Sequence, residues 1–198
     1  MTWVEIVKWI WRKLVEAKTK PAGGVGASIE LGSGYSTEAE RMKNRAKLEA
    51  VLDAVIQDPE LFQDEADKHT HCNIAFARIA EEMGYIFDRD AAGDLPVANE
   101  MIRIMLDDPD RWTLEDGARA AAHALKGGLA VAIKSASPHG HVAAIAPREM
   151  ELSESLQREV PIVANVGRGP SKYCKVSAAF PVAEGEPRYL LLDVEAAA

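Results

Sequence analysis

Cysteine is scarce: Cys72 and Cys174 are the only two among 198 residues. That excludes a disulfide framework, and the absence of a Cys-x-x-Cys pair removes the commonest structural zinc arrangements. Both thiols read as free. Basic charge is also short, with 23 Lys and Arg against 31 Asp and Glu for a net charge of −8. No basic stripe occurs outside the first 18 residues, so nucleic acid is not an expected partner. Apolar runs stay short of the roughly 20 residues needed to span a bilayer. Lys8, Arg12 and Lys13 interrupt the only N-terminal stretch that resembles a secretory signal, so the chain is expected to be synthesised in the cytoplasm without a signal peptide.

What remains is an ordinary globular composition, 47% hydrophobic and 27% charged, sized for one core. Residues 1–18 carry Trp3, Ile6, Val7, Ile10, Trp11, Leu14 and Val15 on one side of a helical projection and Glu5, Lys8, Arg12 and Lys13 on the other. This predicts an amphipathic anchoring helix. Residues 19–36 are rich in Gly and Ser without a sustained period and read as a linker. From residue 37 to 198 the chain reads as one domain. Thr37-Glu38-Ala39-Glu40 matches a capping box and opens a helix that Asp58-Pro59 stops. Further helices are expected from Cys72 to Gly84, from Asp94-Leu95-Pro96 to Asp108-Pro109, and from Leu114 to Lys126.

After Gly128 the period becomes extended. Leu129–Lys134, His141–Ala146, Pro161–Val166, Tyr173–Phe180 and Tyr189–Val194 predict five strands bounded by Gly, Pro and Ser clusters. Helices followed by strands predict an α+β domain with an antiparallel sheet.

Cys72 lies where the polar stretch Gln63 to His71 gives way to Ile74, Phe76, Ala77, Ile79, Ala80 and Met83 at helical spacing. It is therefore expected in a helix's first turn, where the dipole favours the nucleophilic thiolate. Taken alone, Cys72 reads first as a small buried residue that happens to start a helix. A nucleophilic Cys needs a base, and the base needs an orienting group. His69 and His71 lie too close in sequence to fold back onto the thiol, and His123 sits inside an Ala-rich helix. His139 and His141 remain, and His141 opens a strand after Gly140. A metal site built on His69, His71 and Cys72 would lack the usual ligand spacing, so neither a metal nor another cofactor is expected.

Thr70-His71-Cys72-Asn73, then Gly128-Leu129-Ala130-Val131-Ala132, then Gly140-His141-Val142-Ala143 resemble, in order and spacing, the NlpC/P60-type cysteine peptidases and amidases of the papain-like superfamily. The likeness is strongest to the branch found in bacteriophage and secreted peptidoglycan amidases. It spans about residues 37 to 181. It implies a papain-like fold and an amide-cleaving cell-wall hydrolase whose catalytic residues are Cys72, His141 and, on the following strand, Asn165 in Val163-Ala164-Asn165-Val166-Gly167. The chain departs from the family in having His69, Thr70 and His71 before the Cys, where many members carry an aromatic residue that assists the oxyanion site. The oxyanion would then rest on the Cys72 amide and a second donor; Asn73 is either that donor or a first-turn polar residue.

The resemblance implies a peptidoglycan peptide as substrate and action at the bacterial cell wall. A chain made without a signal peptide is expected to reach it by a virion tail, a specialised secretion apparatus or lysis. Residues 1–18 are the expected contact with a carrier protein, with an anionic membrane surface as the alternative. The competing class is a non-catalytic structural or binding component of such an assembly that keeps the papain-like fold.

Overall fold

The computed structural model describes residues 37–61, 71–167, 169–181 and 185–193. The expected anchoring helix (1–18), the linker (19–36) and His69 lie outside the described residues.

Helix α1 (Glu38–Gln57) starts as its sequence predicts. Thr37 Oγ1 accepts from the Glu40 N–H, and the Glu40 carboxylate accepts from the Thr37 N–H, closing the capping box. Leu48, Val51, Leu52 and Val55 recur at helical spacing and are buried. Asp58 ends the helix, and a 3-10 turn over Pro59–Leu61 follows. Helix α2 (Cys72–Glu82) buries Cys72, Ala75, Phe76, Ile79 and Ala80. Its end is fixed by Gly84 at φ +94°, with the Tyr85 N–H on the Ala80 carbonyl (2.8 Å) and the Gly84 N–H on the Glu81 carbonyl (3.1 Å). This pair of bonds is a Schellman cap, which needs the left-handed residue that glycine supplies.

Helix α3 (Ala98–Leu106) starts later than expected. Pro96 cannot supply an N–H and holds the preceding residue extended, so Asp94 to Val97 form the approach rather than the first turn. The expected helix from Leu114 is also shorter. Trp112–Glu115 is strand β1, Asp116 caps the next helix by accepting from the Arg119 N–H at 2.8 Å, and α4 spans Gly117–Leu125.

Strands β2 (Ala130–Lys134) and β3 (His141–Ile145) follow, then a small two-stranded sheet of β4 (Glu151–Ser153) and β5 (Arg158–Val160). Next come β6 (Ile162–Gly167), β7 (Gly169–Lys175), the short helix α5 (Val176–Ala179) and β8 (Arg188–Leu192). The expected strand Tyr173–Phe180 therefore breaks at Lys175, where α5 takes over. The main sheet has six strands, not five, in the order β1-β8-β2-β3-β6-β7, with every neighbouring pair antiparallel. His141 opens the third strand of the chain rather than the second, because β1 precedes it.

The fold is α+β, with five helices and a six-stranded antiparallel sheet among the described residues. Helix α2 packs on β3 and β6 in the middle of the sheet. Phe76 anchors it, with its ring centroid 6.2 Å from Trp112 on β1 and 5.9 Å from Phe87. Tyr85 closes the cluster at 5.0 Å from Phe87 and 5.1 Å from Trp112. Truncating a fully buried Phe such as Phe76 to Ala costs about 3–5 kcal/mol, so this cluster fixes where the helix's first residue lies over the sheet.

Candidate active site

The register of β3 on β6 determines what faces the thiol. Ala144 pairs with Ala164 and Ile145 with Val163. Continued along the strands, this register sets Asn165 across from Ala143 and Gly167 across from His141. Alternate residues share a face, so His141, Ala143 and Asn165 lie on the same side of the sheet, with His141 and Asn165 as diagonal neighbours. The β6–β7 ladder shifts register between Asn165 and Gly167, an irregularity of the kind that re-aims a side chain.

Asn165 Oδ1 lies 2.8 Å from His141 Nε2. A carbonyl oxygen only accepts, so Nε2 carries a hydrogen and donates, which leaves Nδ1 for the remaining partner. That partner is Cys72, whose side chain hydrogen-bonds the imidazole. Burial pulls the His141 pKa down, but the hydrogen bond and charge of Cys72, with the Asn165 bond, outweigh it and the net shift is upward. The imidazolium is therefore favoured beside the sulfur. Cys72 occupies the first position of α2, in the positive field of an eleven-residue helix.

The surroundings keep the ring in place. Phe180 is buried, with its ring centroid 4.9 Å from that of His141 at 44°. On the opposing strand Gly167 offers no side chain, and a Cβ there would sit 3.4 Å from His141 Cε1. Cys72 is only 2% exposed. It belongs to the hydrophobic core cluster, with the His141 imidazole as its polar neighbour.

All three residues expected from the sequence thus converge. The other candidates stay apart from that contact. His139 is exposed in the loop before β3. His123 packs under Gly128, where a Cβ would fall 2.1 Å from Nε2, and its burial, opposed by a bond to the Leu192 backbone, lowers its pKa. Cys174 is half-buried on β7, and burial pushes its thiol upward. Asn73 donates through Nδ2 to the Pro96 carbonyl at 3.0 Å, in keeping with a first-turn polar residue rather than an oxyanion donor. Among the described residues no group of three or more His, Cys, Asp or Glu converges as a metal site.

Sequence reasoning passed over Phe180, which lies inside an apolar run and meets the His141 ring only in the folded chain. No protein-family model matches the chain, and no curated protein matches its sequence.

Proposed function

We propose that this chain is a cysteine amidase or peptidase with a papain-like NlpC/P60-type fold that cleaves an amide bond in bacterial peptidoglycan. The observation that carries the reading is the thiol of Cys72 at a helix N-terminus, paired with an imidazole whose far nitrogen Asn165 holds. The substrate class rests on the resemblance of Thr70–Asn73 and Gly140–Ala143 to cell-wall amidases. In the reaction the Cys72 thiolate attacks the amide carbon, forming a C–S bond. As the C–N bond breaks, the His141 imidazolium gives its proton to the departing amine. The neutral imidazole then takes a proton from water, whose oxygen displaces the thiolate and releases the acid. The α2 N-terminus stabilises the oxyanion in both tetrahedral intermediates.

Cys72→Ala and His141→Ala are each expected to abolish release of peptide fragments from purified cell walls while the circular dichroism spectrum is kept. Retained cleavage by either variant sinks the assignment. Mass spectrometry of digested muropeptides identifies the bond.

A second reading, a non-catalytic structural or binding component of a virion tail or secretion assembly, is favoured by the 2% exposure of Cys72. Iodoacetamide separates the two: a catalytic Cys72 is alkylated faster than Cys174 at neutral pH or below. Residues 1–18, with their apolar face of Trp3, Ile6, Ile10, Trp11 and Leu14 in sequence, are proposed to dock on the carrier protein by the helix-in-groove mode. Deleting residues 1–22 should leave wall cleavage intact and abolish incorporation into the particle. If the deletion unfolds the domain, that carrier role is wrong.

A further inference from the structure

Two contacts outside the Cys–His–Asn set meet on one short stretch, Pro96 to Asn99, at the start of α3. From one side, Asn73, the residue after Cys72, donates to the Pro96 carbonyl. On the other, Asn99 Nδ2 donates to the Ala136 carbonyl at 2.9 Å and, more weakly, to the Pro138 carbonyl at 3.5 Å. Its Oδ1 accepts from the Ala136 N–H at 3.4 Å. Ala136 and Pro138 belong to the loop between β2 and β3, which lies beyond the last ladder pair, Lys134 with His141. The side-chain amide of Asn99 therefore stands in for a strand partner that the loop lacks.

Gly140, directly before His141, is buried and leaves room for this contact. A Cβ there would meet Asn99 Oδ1 at 2.2 Å and the Lys134 carbonyl at 3.0 Å. One segment thus grips both the helix that carries the thiol and the loop that delivers the imidazole.

We infer that Asn99 is a positioning residue for His141, and that Pro96–Asn99 couples the two halves of the Cys–His pair. The inference rests on the cysteine-hydrolase reading above. Pairing requires sulfur and imidazole to stay within hydrogen-bond reach, and small misplacements at such sites cost one to two orders of magnitude in rate. Asn99 touches neither reacting atom, so its effect runs through the loop.

The test uses the full chain and iodoacetamide at pH ~6, below the ordinary thiol range, so that the pairing is read without substrate. Asn99→Ala removes the clamp. Asn99→Asp keeps its size but sets a carboxylate against two carbonyls. Both are expected to slow Cys72 alkylation by roughly tenfold and to lower kcat on cell walls with KM unchanged. Cys174 is the internal control: unfolding also breaks the pair and slows Cys72, but it releases the half-buried Cys174 to label faster, whereas mispositioning of His141 slows Cys72 and leaves Cys174 at its wild-type rate. Wild-type labelling rates in both Asn99 variants, with slow labelling in His141→Ala, reject the positioning role and leave the Cys–His pair standing. Fast labelling in His141→Ala removes the pair itself, and the positioning role with it.

Discussion

Asn165 holds His141 from the neighbouring strand, with Oδ1 2.8 Å from Nε2, and this bond is one of the contacts that lift the imidazole pKa above its ordinary value. Protonated His141 is favoured in the folded chain. Its contribution to stability is therefore complete below the unfolded value of about 6.5 and is lost as pH rises through the raised folded value. In Asn165→Ala, burial is opposed by Cys72 alone, so the pKa falls. In the proposed reaction the imidazolium protonates the leaving amine, so the alkaline limb of the pH–rate profile should move to lower pH in this variant. An unmoved limb rejects the role given to Asn165.

Phe180 is expected to matter twice. It is buried, and Phe180→Ala should destabilise the domain by about 3–5 kcal/mol in urea unfolding. Its ring also bounds the space in which the imidazole turns. Phe180→Leu keeps most of the volume, so it should recover most of the stability while leaving wall hydrolysis below wild type. Equal recovery of both would make Phe180 a packing residue only.

Two glycines with left-handed backbones separate conformational cost from steric cost. Gly84 is at φ +94° with nothing within 4 Å of a built Cβ, so Gly84→Ala should cost only the backbone preference, about 1–2 kcal/mol. Gly127 is at φ +88°, and its Cβ would meet the Arg45 backbone nitrogen at 2.4 Å and Asn44 at 2.8 Å. Helix α1 cannot yield there without giving up its own packing. Gly127→Ala should therefore cost more than about 4 kcal/mol, and thermal melting that ranks the two variants equally refutes the contact.

The parts legible in the sequence were those fixed by local signals. The Thr37 capping box, the Gly84 stop and the Cys72 helix start each depend on residues within a few positions of one another. Cys72 and His141 were legible as a helix-start thiol and a strand-start imidazole, whereas Asn165 was named only through the family resemblance, and its bond to His141 depends on the pairing of β3 with β6. Strand β1 was hidden because the four residues Trp112–Glu115 are too few to show a period, even though Asp116-Gly117 divides them from the Ala-rich helix, and what makes them a strand is the pairing with β8, from Trp112 with Leu192 to Glu115 with Tyr189. The three-residue strands β4 and β5 are too short for any period, and their turn uses Gln157 at φ 52° rather than a glycine. The grip of Asn99 on Ala136 spans 37 positions, and nothing local announces it.

Gly167 gives the most direct control over the imidazole, because it lies across from His141 on β6 and a Cβ there would stand 3.4 Å from Cε1. That distance is ordinary van der Waals contact, so Gly167→Ala should fit without moving the ring. Wall hydrolysis in this variant is expected to stay within about threefold of wild type, and the melting temperature should hold. Gly167→Val adds two methyls to that Cβ, one of which must enter the space of the ring. The imidazole then turns away from Asn165 and the Cys72 thiol loses its partner. A β-branched residue suits a strand, so the fold should not suffer. Gly167→Val is thus expected to reduce hydrolysis on the order of a hundredfold while melting close to wild type. Full activity in Gly167→Val would mean that the His141 orientation described here is not the working one.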